Sequence, residues 1–247
     1  MRQWARMAGH RARLVLVAVL SCAACAGTPK PAPRASRPPP AAAGEAEIPP
    51  RPADADADVA YYRERATVLA SGTLVEIART NFARMRRGRL YLPQEGGGPA
   101  TSDLEIALTR AFDSGDDEKI VDVTSKYLMG DQADIRAHLL RALALRKLGR
   151  EKEANFHREV AIGLIESIVR TGDGRSFDTA WTVYRVKEEY EVLKASGYRV
   201  ERQSLTSHGN RNFDVLDARK PQGGETFRAH FDITELFAEE GRAFLGR

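Results

Sequence analysis

Residues 171–186 read TGDGRSFDTAWTVYRV. Asp173, Ser176, Asp178 and Thr179 stand close together there, with Gly172 and Gly174 around the first acid. Two carboxylates and two hydroxyls at this spacing suggest three chemistries. A calcium loop of the EF-hand kind needs oxygen ligands at its first, third and fifth positions. Counted from Asp173, those are Asp173, Arg175 and Phe177, which do not fit. A dinucleotide loop needs G-x-G-x-x-G after a strand. Here Phe177 stands in place of the third glycine, and a helical pattern precedes the loop. Acid–base chemistry remains if Asp173 and Asp178 converge on one substrate. The fourth reading is a turn. Gly172 would cap a long helix in the left-handed conformation, Asp173-Gly174 is a common turn pair, and Ser176, Asp178 or Thr179 would bond nearby amides. The turn and ligand readings both stay open.

Other polar residues make weaker cases. His138, His157, His208 and His230 lack metal-ligand spacing. The alternation around Phe227, Ala229, Phe231 and Ile233 puts His230 on the polar, solvated face of a strand. Ser204 has no nucleophile elbow around it. Trp181 reads as core. No catalytic residue, metal site or cofactor is therefore expected. Arg79, Arg84, Arg86, Arg87 and Arg89 form a basic patch beside Phe82 and Tyr91. It reads as a solvated helix face, or as a surface for anionic head groups or an acidic partner.

The chain opens with MRQWARMAGHRAR, then LVLVAVL, then SCAAC. A basic stretch, a short apolar run and small residues make an export signal over 1–25. It resembles a bacterial lipoprotein signal, with Cys22 or Cys25 as the lipidated residue. Ordinary cleavage nearby is the plainer alternative. Neither Cys is followed by Asp, which implies delivery to the outer membrane of the cell envelope. The formal charge is +4, but residues 1–25 hold four Arg and no acid, so the remainder is neutral. A neutral body has no excess cation for phosphates, and nucleic acid is not expected as a partner. Both cysteines lie in this leader, so the body has neither disulfide nor thiolate metal site.

Residues 26–57 hold nine of the twelve prolines and one large apolar residue, Ile48. They read as a disordered tether. Helices are expected through 58–170: two over 58–91, then four near 103–113, 116–128, 132–148 and 151–170. QEGGGPATSD reads as a loop, with Ser102 and Glu105 as a capping box. Gly115 and Gly149 are 34 residues apart, and the same offset joins Leu108 to Ala142, Ala111 to Leu145 and Ile120 to Ala154. That is the tetratricopeptide period. Arg141, His138 and Arg158 depart from the motif. After residue 170 the period changes. Thr179–Val186, YRVERQSL, NFDVLDA and ETFRAHFDIT read as strands, KEEYEVLKASG as a helix, and ITELFAEEGRAF as a closing helix. The expected class is α+β: a tetratricopeptide-like antiparallel helical half, then a small antiparallel sheet with flanking helices over 171–247.

The run from Thr171 to Leu205 resembles the C-terminal signature of an uncharacterised bacterial family of exported, often lipid-anchored domains. The matching positions are Gly172, Asp173, Gly174, Ser176, Thr179, Ala180, Glu189, Tyr190, Gly197, Gln203, Ser204 and Leu205. The resemblance implies a helical segment leading into a Gly-Asp-Gly turn and a small sheet, and it assigns no activity. The function expected is a lipid-anchored envelope module that binds a protein or peptide and reaches the membrane through its N-terminal lipid. The alternative is an envelope enzyme or small-ligand binder that uses residues 171–180 with Gln203.

Overall fold

A computed structural model describes residues 48–92 and 101–244, with the side chains of 101–105 left out. The export signal, Cys22, Cys25, the tether up to residue 47, most of the QEGGGPATSD loop and the Ser102–Glu105 capping box lie outside the described residues or side chains.

Among the described residues three helices come first: α1 (Ala55–Ala70), α2 (Leu74–Ala78) and α3 (Phe82–Tyr91). The sequence suggests one helix where α2 and α3 stand. The break lies at Thr80-Asn81. The Thr80 hydroxyl donates to the Glu76 carbonyl at 2.8 Å, while the Asn81 side chain accepts from Arg84 N at 3.1 Å and starts α3. Packing begins earlier than residue 58. Ile48 lies against Gly241, Arg51 pairs with Glu239 at 2.5 Å, and α1 starts at Ala55.

Four further helices follow as two hairpins: α4 (Thr101–Ser114) with α5 (Asp117–Gly130), and α6 (Ile135–Lys147) with α7 (Glu151–Val169). Gly115 and Gly149 turn them at φ +66° and +74°, a conformation side chains with a Cβ disfavour. Asp116 and Asp134 cap α5 and α6 through Lys119 N at 3.0 Å and Ala137 N at 2.8 Å. Leu108, Ala111, Ile120, Leu145 and Ala154, all residues of the 34-residue offset, share one buried cluster.

The C-terminal part runs β1 (Trp181–Thr182), α8 (Val186–Ala195), β2 (Arg199–His208), β3 (Arg211–Arg219), β4 (Thr226–Asp232) and α9 (Thr234–Phe244). The protein is α+β, with helices flanking the sheet. The sheet is mixed rather than purely antiparallel. Its order is β1-β4-β3-β2, and β1 runs parallel to β4 with Trp181 opposite Phe231. The chain between β1 and β4 supplies the long crossover that parallel pairing requires. β1 is also shorter than the alternation over 179–186 suggests. Glu188 Oε2 accepts Tyr184 N at 2.9 Å, taking the chain out of the sheet and into α8.

One core spans both halves. It joins Tyr62, Leu69, Phe82 and Met85 to Phe156, Leu164 and Ile168 of α7, and these to Leu216, Ala229 and Phe231 of the sheet and Ile233 just after β4. The alternation of β4 sends its apolar residues there, as its sequence requires. His230 departs from expectation. It is 9% exposed and buried beneath the 171–180 segment, with Phe177 edge-on at 5.0 Å between ring centroids.

Candidate functional site

The corner at 171–182 closes on itself. Asp173 Oδ1 accepts from Arg175 N at 3.0 Å and from the Thr179 hydroxyl at 2.6 Å. Ser176 Oγ lies 3.0 Å from Thr179 Oγ1 and accepts Thr179 N at 3.3 Å. The Thr179 carbonyl accepts from Asp173 N and Gly174 N at 3.0 and 2.8 Å. These donors hold the Asp173 carboxyl below its ordinary range, Thr179 foremost and then the Arg175 amide. Asp178 stands exposed outside the ring of bonds. The left-handed residue is Gly174, at φ +69°, and not Gly172. Gly172 is there for space: a Cβ would come 2.1 Å from the Thr179 carbonyl oxygen. Trp181 is core, and its Nε1 donates to the Gly172 carbonyl at 3.0 Å.

Gln203 does not join this corner. The corner hangs on β4, where His230 N donates to the Gly174 carbonyl at 2.9 Å. Gln203 is on β2, at the far edge, with β3 between it and β4. Its amide oxygen accepts from Tyr190 at 2.6 Å, and its nitrogen donates to Asp214 at 2.9 Å.

The basic patch is not a free cationic face. Arg79 pairs with Glu76 at 3.0 Å and Arg84 with Asp58 at 2.6 Å. Arg87 reaches Asp54 at 2.7 Å, with Asp58 and Glu235 each at 2.8 Å, and Arg89 lies 3.5 Å from Asp131. Arg86 is 1% exposed. Its guanidinium donates to Glu188 at 2.7 Å and Ser167 at 2.9 Å, and it lies 5.1 Å from the Tyr184 ring centre. Its acceptors come from α7 and α8, and the ring from the segment between β1 and α8. The alternation Asp54-Ala-Asp56-Ala-Asp58 is the sequence signal that could have supplied part of this answer.

Sequence reasoning missed a charged seam beside Arg86. The loop Asp131-Gln132-Ala133-Asp134 is wholly buried between α5 and α6. Arg185 pairs with Asp131 at 2.5 Å and donates to the Ala133 carbonyl, and Lys187 pairs with Asp134. Burial works against the Asp134 charge, but Lys187 and Arg185 hold its carboxyl down to about 2. A cavity of about 10 Å³ lies here, and one of about 180 Å³ lies between Pro49, Pro50, Pro52 and α9.

Next to the seam, Arg141 Nε donates to His157 Nε2 at 2.8 Å, and His157 Nδ1 meets His138 Nδ1 at 2.9 Å. His138 Nε2 then meets the Gln132 carbonyl at 3.2 Å. Arginine only donates and a carbonyl only accepts, so the tautomers follow. His157 carries its proton on Nδ1, His138 on Nε2, and both rings are neutral. Burial pushes them down to about 2 and about 4 respectively. The two histidines and Arg141, residues that depart from the repeat motif or sit beside such a departure, thus form one chain of bonds. Among the described residues, no three His, Cys, Asp or Glu side chains are grouped to hold a metal, and no helix is long and apolar enough to cross a membrane.

Fold and site together define an α+β domain in which a row of helical hairpins leads into a four-stranded mixed sheet, with most of its charge spent on internal bonds. The chain belongs to the family described as a domain of unknown function, DUF4919, whose model matches residues 96–242. The match takes in α4 to α9 and leaves α1–α3 outside. No curated protein and no solved structure matches the chain.

Proposed function

We propose that this protein is a lipid-anchored module of the bacterial cell envelope that binds a protein or peptide through its helical hairpins. The observation that carries the reading is the repeat. Two hairpins turn at glycines in the same left-handed conformation, and five of the six side chains matched at the 34-residue offset, all but Ala142, share one core. Each helix from α4 to α7 packs on its neighbour in sequence, an arrangement that supports a tetratricopeptide-like surface. The N-terminal cysteines, placed after a basic and apolar leader, support anchoring. The 171–180 corner supports a joint between helices and sheet rather than a centre of chemistry, because Asp173 Oδ1, Ser176 and Thr179 bond to one another and to the Arg175 amide. The two cavities beside the seam and beside α9 also fall below the roughly 300–1,000 Å³ of small-molecule pockets.

Labelling with radioactive palmitate tests the anchor. The parent chain is expected to take up label, and the double variant Cys22→Ser, Cys25→Ser to lose it and leave the membrane fraction. A labelled double variant would end the lipoprotein reading. Cross-linking in intact envelopes tests the module. Photo-reactive residues on α4 and α5 are expected to capture one envelope protein reproducibly, and capture of none would count against it.

A further inference from the structure

β2 is the terminal strand of the sheet, and among the described residues nothing pairs with its outer side. It is ten residues long, from Arg199 to His208, and almost all of them are exposed. The other edge, β1, is two residues long. Edge strands of this length are normally guarded by charge, proline or a bulge. Here the guard covers one end. Arg199, Glu201 and Arg202 are charged, and the register shifts between Val200 and Arg202. From Gln203 to His208 the sequence is QSLTSH, without proline, Lys, Arg or acid. Leu205, at its middle, is 44% exposed.

The hairpin sets which backbone groups are free. His208 pairs with Arg211 across the two residues Gly209-Asn210, and Gly209 has φ +60°. In a two-residue hairpin the flanking pair is hydrogen-bonded, and bonded pairs alternate along the ladder. His208, Thr206 and Ser204 therefore turn their amides and carbonyls toward β3. Ser207, Leu205 and Gln203 turn theirs outward. Three outward residues centred on Leu205 are self-complementary under a two-fold axis.

We infer that β2 is a docking edge for a second copy of this chain, paired antiparallel about a two-fold axis at Leu205. In that register Leu205 faces the partner's Leu205, and Gln203 faces the partner's Ser207. About six inter-chain hydrogen bonds form. Arg202 falls opposite the partner's His208, with its charge already matched by Asp217 at 2.6 Å. The bulge at Glu201 falls outside the overlap, so the guarded end does not clash. Tyr190, 39% exposed and bonded to Gln203, adds an apolar surface beside the seam. The two sheets then join into one continuous sheet. A foreign extended peptide would need no such symmetry.

Cysteine placement in the full chain tests the register in cells under mild oxidation, with the parent as background for Cys22 and Cys25. Across the axis the two Leu205 Cα atoms would lie about 5.5 Å apart, within the disulfide range. Leu205→Cys is expected to cross-link to itself. Gln203→Cys and Ser207→Cys, each roughly 14 Å from its own symmetry mate, are expected to stay monomeric alone and to cross-link when co-expressed. Leu205→Lys puts two cations on the axis, and the sedimentation mass of the purified full chain is expected to halve while its far-UV circular dichroism stays that of the parent, with the melting temperature losing its dependence on protein concentration. Four results would overturn the inference: a monomeric parent, a dimer indifferent to Leu205→Lys, self-cross-linking of Gln203→Cys as strong as that of Leu205→Cys, or capture of a different protein by Leu205→Cys.

Discussion

The corner at 171–182 and the seam around Arg86, Asp131 and Glu188 are both dense in polar groups, and they hold them in opposite ways. In the corner, the Asp173 carboxylate is satisfied from within six residues, by Arg175 and Thr179, and Asp173 is exposed. In the seam, Arg86 reaches Glu188 across 102 residues and Arg185 reaches Asp131 across 54, and Arg86, Glu188 and Asp131 are buried with Arg185 half-buried. A local, hydrated ring of bonds loses little when one member goes, because water replaces it. A buried pair loses much more, because the abandoned charge has nowhere to go. The seam also joins α3, outside the family match, to α8 inside it.

Arg86 gives the largest expected effect. Arg86→Met takes from buried Glu188 its close partner and leaves it only Arg185 at 3.7 Å, and should destabilise the fold by about 3–5 kcal/mol. Adding Glu188→Gln removes the charge while keeping an acceptor for Tyr184 N, so the double variant should be more stable than Arg86→Met alone. Urea unfolding of the three proteins measures this. A single variant within about 1 kcal/mol of the parent would mean that the seam tolerates loss as the corner does.

These two regions were unequally legible in the sequence. The corner was visible because its bonds are local: glycine, Asp-Gly and hydroxyls within one turn state their geometry nearly in full. Even so, the sequence points to Gly172 as the left-handed residue where the structure has Gly174, since neighbouring glycines look alike until their surroundings are known. The four helices of the hairpins and the alternation of β4 were legible from period alone. The seam was not. Five arginines close in sequence read as a solvated or partner-seeking face, because their acids lie on α1, α2, α8, α9 and the 131–134 loop. Parallel pairing of β1 with β4 was hidden for the same reason. His230 read as solvated because strand alternation reports which face a residue is on, and not what covers that face.

The histidine chain should give the next largest effect, through pH. His138 is held at about 4 by burial, against an ordinary value of 6.5. A neutral histidine in the fold and a titrating one in the unfolded chain mean that the unfolded state binds more protons between those values. Stability is therefore fully present above about pH 6.5 and falls as pH drops toward 4, by up to about 1.4 kcal/mol per pH unit per histidine. The total for His138 alone is about 3 kcal/mol. His157→Gln keeps a donor and an acceptor but cannot charge, so its curve should be flatter over this window. Equal slopes for parent and variant would show that the ring at 157 is already protonated or already solvated.

Gly149 should give a smaller effect. No atom lies within 4 Å of where its Cβ would be, so crowding does not contribute. The backbone at φ +74° does. Gly149→Val should cost about 1–2 kcal/mol, from the left-handed conformation of a β-branched residue. Gly115→Val, at φ +66° and with the same open space, should cost a similar amount if the two hairpins are equivalent. Thermal unfolding of both variants tests that equivalence. A large difference between them would break the repeat.

Asp173 should give the smallest effect on stability, and it decides between the two uses of the corner. Its carboxylate accepts from the Arg175 amide and the Thr179 hydroxyl, and all three residues are exposed. Asp173→Ala removes those bonds, but water reaches the freed donors, so the expected loss is about 0.5–1 kcal/mol. Asp173→Asn keeps an acceptor oxygen and should lose less. The ordering matters more than the size. In a corner that serves only to join helices to sheet, cellular function should follow abundance: Asn close to the parent, Ala slightly lower. In a ligand site, the charge itself is what counts. Asn and Ala would then abolish function alike, with both proteins folded and abundant, and with melting temperatures unchanged or raised. Thr179→Val adds a control, since it removes the shortest bond to Asp173 and leaves the carboxylate in place. Under the structural reading it should resemble Asp173→Ala in stability and in function. A Thr179→Val protein that works beside an Asp173→Asn protein that does not would place a ligand or chemistry at the carboxylate, and would overturn the reading of this corner as a joint between helices and sheet.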